Sequence, residues 1–261
     1  MSYGETLLVR EEESVLEIQL NRPKANAFNF EMVDALLKAC DYARNEPSVR
    51  CVLLTGSGSF FSTGQDLRVV EEIGLPVPFQ YHLGRTYNRI VMALSELEKP
   101  VLGAINGPAA GAGLGIALAT DVRWAAQSAS FHFGFSGIGL TADSGVSLML
   151  PLHIGLARAA EVAFSNRTIT TEEALAWGLV SRVLPDDELL EGMRAFAVEL
   201  AGGPTRALGL TKRAFRQALM HSLPEVLNYE AYLQEIAGRT EDHAEGLQAF
   251  LEKRKPDYKG R

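Results

Sequence analysis

The chain has 261 residues, with 25 Lys and Arg against 32 Asp and Glu, a formal net charge of −7. That balance speaks against a nucleic-acid binder, which needs surplus cations to neutralise phosphates. With 47% hydrophobic and 22% charged residues, the composition is that of a folded globular protein able to bury a core, not of a disordered chain.

Residues 6–10 and 15–20 read as two strands around a turn at 11–14, the second with polar Glu17 and Gln19 alternating with Leu16, Ile18 and Leu20. Asn29 is placed to cap a helix running to about Asn45, with Met32, Ala35, Leu36 and Ala39 on one face and Pro47 as its stop. Residues 49–55 form a continuous apolar run, as a strand buried on both faces requires. A long helix over 79–98 ends at Pro100 and is followed by a buried strand over 101–105. A helix over 113–120, strands over 121–126 and 129–133, and a helical pattern over 146–151 come next. Alternating strands and helices predict an α/β fold with parallel pairing and helices outside. Beyond Pro185 four helical patterns follow, over 187–202, 205–220, 224–238 and 242–253, with no strand candidate among them. The expected organisation is a core over 1–200 and a closely docked helical region over 201–261.

Cys40 and Cys51 lie in apolar patterns without metal-ligand spacing and are expected to be buried thiols in a reducing, cytoplasmic compartment. Residues 1–10 lack the pattern of a secretory signal. The most apolar stretch, residues 107–119, falls short of the roughly 20 residues of a membrane helix.

Glycine is concentrated in two segments, each following a buried strand: Gly56-Ser-Gly-Ser-Phe-Phe-Ser-Thr-Gly64-Gln65-Asp66-Leu67 and Asn106-Gly107-Pro-Ala-Ala-Gly111-Ala112-Gly113-Leu-Gly115. Strand ends of this kind are where α/β sheets bind ligands, and the second segment also opens a helix. Two amides converging on one oxygen would make an oxyanion hole. The glycines could instead serve tight helix–strand packing. A dinucleotide fingerprint is only partly matched, lacking its third glycine and a carboxylate about 20 residues on. The first segment has no Gly-Lys-Ser/Thr ending, so it is not a P-loop.

The five histidines, at 82, 132, 153, 221 and 243, have no metal-ligand spacing, so no metal site is expected. Ser136 misses the nucleophile elbow, because Ile138 stands where glycine is required. Carboxylates remain. Asp143, in Gly137-Ile-Gly139-Leu-Thr-Ala-Asp143-Ser-Gly145, either caps the following helix or serves as a proton carrier whose apolar surroundings raise its pKa.

Several ordered motifs resemble the crotonase, or enoyl-CoA hydratase/isomerase, superfamily: Asn21-Arg22-Pro23 with Asn26-Ala27, Phe61 to Leu67, Lys99-Pro100 with Ala104 to Gly113, Ala174 with Gly178-Leu-Val180, and Glu252-Lys253-Arg254. The resemblance implies a spiral of repeated ββα units, a C-terminal helical region that mediates trimerisation, and a homotrimer or dimer of trimers binding an acyl-CoA thioester. Coenzyme A enters as part of the substrate, with no separate cofactor. The family's oxyanion donors fall on the backbone N–H groups of Gln65 and Ala112. A position that is usually glycine in the hydratases is alanine here. The two hydratase glutamates would fall at Gly115 and Phe135, neither acidic, which argues against ordinary hydration.

The segment Gly139-Leu-Thr-Ala-Asp143-Ser-Gly145 is similar to the catalytic segment of phenylacetate-pathway ring-epoxide isomerases and Δ3,Δ2-enoyl-CoA isomerases, with Ala142 in place of a common proline. It implies Asp143 as the catalytic carboxylate. An aspartate at this place is also the nucleophile of 4-chlorobenzoyl-CoA dehalogenases, but their neighbouring tryptophan corresponds to Phe135, which has no N–H to donate. The run 166–183 is similar to theirs and equally fits a helix–strand packing element. Lys24, Ala25, Ala27, Gly64, Asp66, Leu67 and Lys253 match CoA-contacting positions, with Asp66 expected to fix its loop more than to move protons. Residues 74–79 and the helix after them are expected to shape the acyl pocket, where Phe79 and Phe135 would suit a flat or aromatic chain. The last ten residues carry five cations and two acids, a basic tail placed where the family meets CoA phosphates.

Overall fold

The computed structural model describes residues 3–66, 68–69, 78–218 and 240–261. The predicted helix over 224–238, the end of that over 205–220, Leu67 and residues 74–77 lie outside them. Among the described residues, nine strands form two sheets. The larger has the order β1 (Leu7–Glu12), β2 (Val15–Leu20), β3 (Cys51–Gly56), β4 (Val101–Ile105), β6 (Val122–Ala126), β9 (Arg182–Leu184). Strands β1 and β2 are an antiparallel hairpin with Glu12 opposite Val15, and every later pairing in this sheet is parallel. The smaller sheet has three two-residue strands in the order β5 (Ala109–Ala110), β7 (Phe131–His132), β8 (Thr168–Ile169).

Helix α1 (Phe30–Asn45) starts as the sequence dictates: the Asn29 side chain accepts the Met32 N–H at 2.9 Å. Its buried face, including Met32, Leu36, Ala39 and Cys40, packs toward β1 and β2. All six residues of β3 and all five of β4 are buried, as expected of central parallel strands covered on both faces. The other face is covered by α8 (Leu189–Ala201), which contacts β2, β3, β4 and β6. Phe28, Phe61 and Phe131 are fully buried where the two sheets and the loops joining them meet.

The long helix predicted over 79–98 is two helices, α2 (Phe79–Arg85) and α3 (Tyr87–Glu96). Thr86 between them has φ −119° and ψ −101°, outside helical space, and its hydroxyl donates to the His82 carbonyl at 2.8 Å. Helix α4 (Ala112–Leu118) is entirely buried. Helices α5 (Val146–Ile154) and α6 (Leu156–Ser165) follow, joined through Gly155. Helix α7 (Thr171–Ala176) opens with a capping box between Thr170 and Glu173 and leads into β9, so the run 166–183 is a helix–strand element.

Beyond α8, α9 (Thr205–Ala218) docks largely through charge. Lys212 Nζ lies 2.9 Å from Asp121 Oδ2 and donates to the Leu94 carbonyl at 2.8 Å, while Arg206 and Arg213 both pair with Glu98. The chain end folds back over α10 (Glu241–Glu252): Asp242 accepts the N–H groups of Lys259 and Gly260, and Arg50 donates to the Gly203 and Tyr258 carbonyls. No helix among the described residues is long and apolar enough to cross a membrane. Cys40 and Cys51 are free and buried, and burial pushes both thiols up to about 12.

Candidate active site

The two glycine-rich segments meet. The loop after β3 runs beside β5 through the Ser62–Ala109 bridge, with the Ala110 N–H bonded to the Ser62 carbonyl at 2.9 Å. Asn106 joins the ends of β3 and β4: its side-chain oxygen accepts the Gly56 N–H at 2.9 Å and its amide donates to the Gly58 carbonyl at 2.8 Å. Gly64 has φ +81°, and a Cβ there would stand 2.8 Å from the Ala110 oxygen and 2.9 Å from the Ala112 nitrogen. Only glycine fits both the left-handed backbone and that approach.

The direction of each predicted donor follows from its peptide plane. The Phe28 N–H donates to the Gly64 carbonyl at 2.7 Å, so the Gln65 N–H, trans to that carbonyl, points the opposite way. The Gly111 carbonyl accepts the Gly115 N–H within the first turn of α4, so the Ala112 N–H points out of the helix start. Neither N–H has a protein acceptor among the described residues. The left-handed angle at this turn falls on Gly111, with φ +54°, which leaves Ala112 ordinary helical backbone and its alanine unstrained.

Gln65 and Ala112 line a cavity of about 470 Å³ together with Phe79, His82, Tyr87, Phe135 and Asp143. Asp143 does not cap the helix after it. The cap of α5 is Gly145, with no side-chain bond, and Asp143 contributes only its carbonyl, to the Val146 N–H. Its carboxylate is partly buried and accepts the Ser144 hydroxyl at 2.6 Å. Burial raises its pKa from the ordinary aspartate value, opposed by the Ser144 bond and the nearby His82. Asp66, also at the cavity, behaves differently. Arg68 and Arg22 both bond it, Arg22 at 2.7 Å, and hold its carboxyl well below the usual range. It is locked as an anion that fixes its loop.

The remaining predicted positions divide. Ala27 lines the same cavity. Lys24 and Ala25 line a second one of about 470 Å³ with Arg22, Asn26 and residues 57–60, on a loop where Lys24, Ala25 and Asn26 all have positive φ. Asn26 holds this loop by donating to the Ser57 and Phe60 carbonyls at 3.0 and 2.8 Å. Lys253, just past α10, lines neither cavity. In the basic tail Arg254 pairs with Glu245 and Glu252, Lys259 with Asp257 and Arg261 with Glu241, so much of its charge is neutralised locally.

The sequence model of the enoyl-CoA hydratase/isomerase family matches residues 10–261. The chain belongs to the enoyl-CoA hydratase/isomerase, or crotonase, family. Among its relatives, the 1,2-epoxyphenylacetyl-CoA isomerase of Escherichia coli (strain K12) is 39% identical over 260 residues, covering 98% of this chain and 99% of the relative. A protein of Rhodobacter capsulatus named probable enoyl-CoA hydratase is 42% identical over 262 residues and covers both chains fully. The crystal structure of an enoyl-CoA hydratase from Bacillus anthracis superposes with a TM-score of 0.92 at 33% identity, covering 98% of this chain and 100% of that one. The fold is thus the crotonase α/β fold.

Gly115 and Phe135, where the resemblance would put the hydratase glutamates, both lie in tightly packed surroundings. A Cβ on Gly115 would stand 2.5 Å from both the Cβ and the carbonyl oxygen of Ser144, so the segment carrying Asp143 fills the space a side chain at 115 would need. Phe135 is buried edge-on against Phe133, with ring centroids 5.0 Å apart. His82, Tyr87 and Ser144 were not singled out as site residues by the sequence. His82 and Tyr87 are five apart, about 140° around one continuous helix, and only the break at Thr86 lets both reach the cavity.

Proposed function

We propose that this member of the crotonase family is an acyl-CoA isomerase. The thioester oxygen is held by the N–H groups of Gln65 and Ala112. Asp143 takes a proton from a carbon next to or conjugated with the carbonyl and returns it at another carbon, which shifts a double bond into or out of conjugation. Negative charge that develops on the oxygen is stabilised by donors already aimed at it, and this makes the carbon acid accessible to a weak base. The observation carrying this reading is that the partly buried Asp143 carboxylate shares one cavity with Gln65 and Ala112 and is bonded by the Ser144 hydroxyl, while the other cavity carboxylate, Asp66, is held by Arg22 and Arg68. The crowding at Gly115 and the phenylalanine at 135 weigh against the two acids that water addition uses.

The relative named 1,2-epoxyphenylacetyl-CoA isomerase and the aromatic Phe79 and Phe135 at the cavity support a ring-derived acyl group. Hydration is the second reading, favoured by the similarity to the Rhodobacter protein named probable enoyl-CoA hydratase. We assign the CoA portion to the loop of Lys24, Ala25 and Ala27 with Gly64, Asp66 and Leu67, and to Lys253 across a subunit contact in a homotrimer or dimer of trimers. The exposed Leu156, Phe164 and Phe215 support such contacts. Light scattering tests the assembly.

Linear 3-enoyl-CoAs and ring-derived CoA thioesters should be assayed by ultraviolet absorbance of the conjugated product, with 3-hydroxyacyl-CoA and halide release measured in parallel. Isomerisation that disappears in Asp143→Asn supports the reading, retained turnover in that variant overturns the role of Asp143, and absence of isomerisation in the wild type overturns the isomerase reading. Binding without exchange of the α-proton into deuterated water would instead identify a non-catalytic acyl-CoA-binding subunit.

A further inference from the structure

The Gln65 side chain is held as firmly as its backbone. Its Nε2 lies 3.0 Å from the Asp66 carbonyl oxygen and 3.5 Å from that of Phe28. Both are pure acceptors, so the orientation of the amide is fixed by chemistry. The Gln65 Oε1 then faces two groups at 2.8 Å, His82 Nε2 and the Tyr87 hydroxyl. An amide oxygen only accepts, so Tyr87 donates its hydroxyl proton and His82 carries a proton on Nε2. The tautomer of His82 is determined, with the lone pair of its neutral ring on Nδ1. Burial raises the pKa of Tyr87 and lowers that of His82, which favours the donor phenol and the neutral imidazole. The imidazole is fixed in turn by the edge of Phe30, with ring centroids 5.8 Å apart, and by the Thr86 bond to the His82 carbonyl.

We propose that His82 is a positioning residue for the thioester-oxygen site: with Tyr87 it clamps Gln65 Oε1 and so keeps the Gln65 N–H aimed into the cavity. The inference rests on the reading of that N–H as an oxyanion donor. The peptide before Gln65 follows Gly64, whose lack of a side chain lets the backbone turn there with φ +81°. The backbone bonds to Phe28 fix the Gly64 carbonyl and the Asp66 N–H on either side. The clamp adds a third anchor, at the Gln65 side chain, against rocking of the peptide. Displacements of about 1 Å at such a donor are enough to cost about a hundredfold in rate.

The test compares full-length wild type, His82→Gln, His82→Leu and Asp143→Asn. Turnover is followed with trans-3-hexenoyl-CoA. Polarisation of the oxygen is followed separately, as the vibrational shift of the carbonyl of bound hexanoyl-CoA, isotope-labelled at the thioester, which has no double bond to move. Glutamine places an N–H near the position of the imidazole Nε2–H, and leucine does not. His82→Leu is expected to lose about ten- to a hundredfold in kcat with KM changed less than about threefold, and its bound carbonyl band moves toward the free position. His82→Gln is expected to recover most of both. Asp143→Asn should lose turnover while keeping the wild-type carbonyl shift, which separates the base from the clamp. A wild-type carbonyl shift in His82→Leu, or equal losses in the glutamine and leucine variants, overturns the proposal. If the leucine variant does not fold, Tyr87→Phe removes the other donor, and an unchanged carbonyl shift there overturns it equally. Absence of any shift in the wild type overturns the oxyanion reading itself, whereas turnover retained by Asp143→Asn overturns only the role of that carboxylate.

Discussion

The main cavity has two walls of different chemistry. One is main chain: Gly64-Gln65 and Gly111-Ala112, brought together by strand ends and by bonds between peptide groups. The other is side chain: His82 and Tyr87 from two short helices, Phe135 from a turn, and Asp143 from the segment before α5. The first wall offers fixed donors with no titratable group, so its contribution should be nearly independent of pH. The second carries the titratable groups, among them the proposed base Asp143, and should respond to pH. Under the proposed function, holding charge and moving protons therefore fall to separate parts of the fold.

Mutations should separate the walls. The largest effect is expected from Asp143→Asn, which removes the proposed base and should lower kcat by about 10²–10⁴ while CoA-thioester binding by calorimetry stays near wild type. Gly64→Ala attacks the opposite wall. Its methyl group meets the Ala110 oxygen and the Ala112 nitrogen, so a loss of about 10²–10³ in kcat is expected, with a lowered melting temperature that Asp143→Asn does not share. Equal stability losses in the two variants would break the distinction.

The pH dependence sharpens it further. A base works ionised, so activity should fall as pH drops through the pKa of Asp143, which burial raises from that of an ordinary aspartate. The Ser144 hydroxyl favours the charged form, so Ser144→Ala should move the acid limb of kcat/KM to still higher pH, as a pH–rate profile would reveal. The smallest change is expected for Lys253→Ala. Loss of an exposed lysine that is proposed to meet one CoA phosphate should raise KM by no more than about fivefold, with kcat unchanged.

Strand β4 matches the predicted strand residue for residue, and α1 was legible from its cap to its last turn, because continuous burial and a 3.6-residue stripe leave clear marks on the sequence. The three two-residue strands of the small sheet were too short for periodicity to register: the predicted strand over 129–133 shrank to Phe131–His132, and β5 and β8 went unread. The break at Thr86 was hidden because no proline marks it, and Gly84, two residues earlier, still lies within α2. It depends on a hydroxyl bonding back to a carbonyl, not on local propensity.

By itself the sequence determined the alternation of strands and helices, the placement of glycine at two strand ends, and an aspartate isolated among uncharged residues. These are properties of short stretches, and short stretches set backbone preference and apolar period. Only the tertiary structure decided that the two glycine segments touch, that Asp66 is neutralised by Arg22 and Arg68 while Asp143 is not, and that His82 and Tyr87 converge on Gln65. Each of these depends on neighbours distant in the chain. A carboxylate's proton affinity and an amide's direction are set by what packs around them, and no local pattern specifies that.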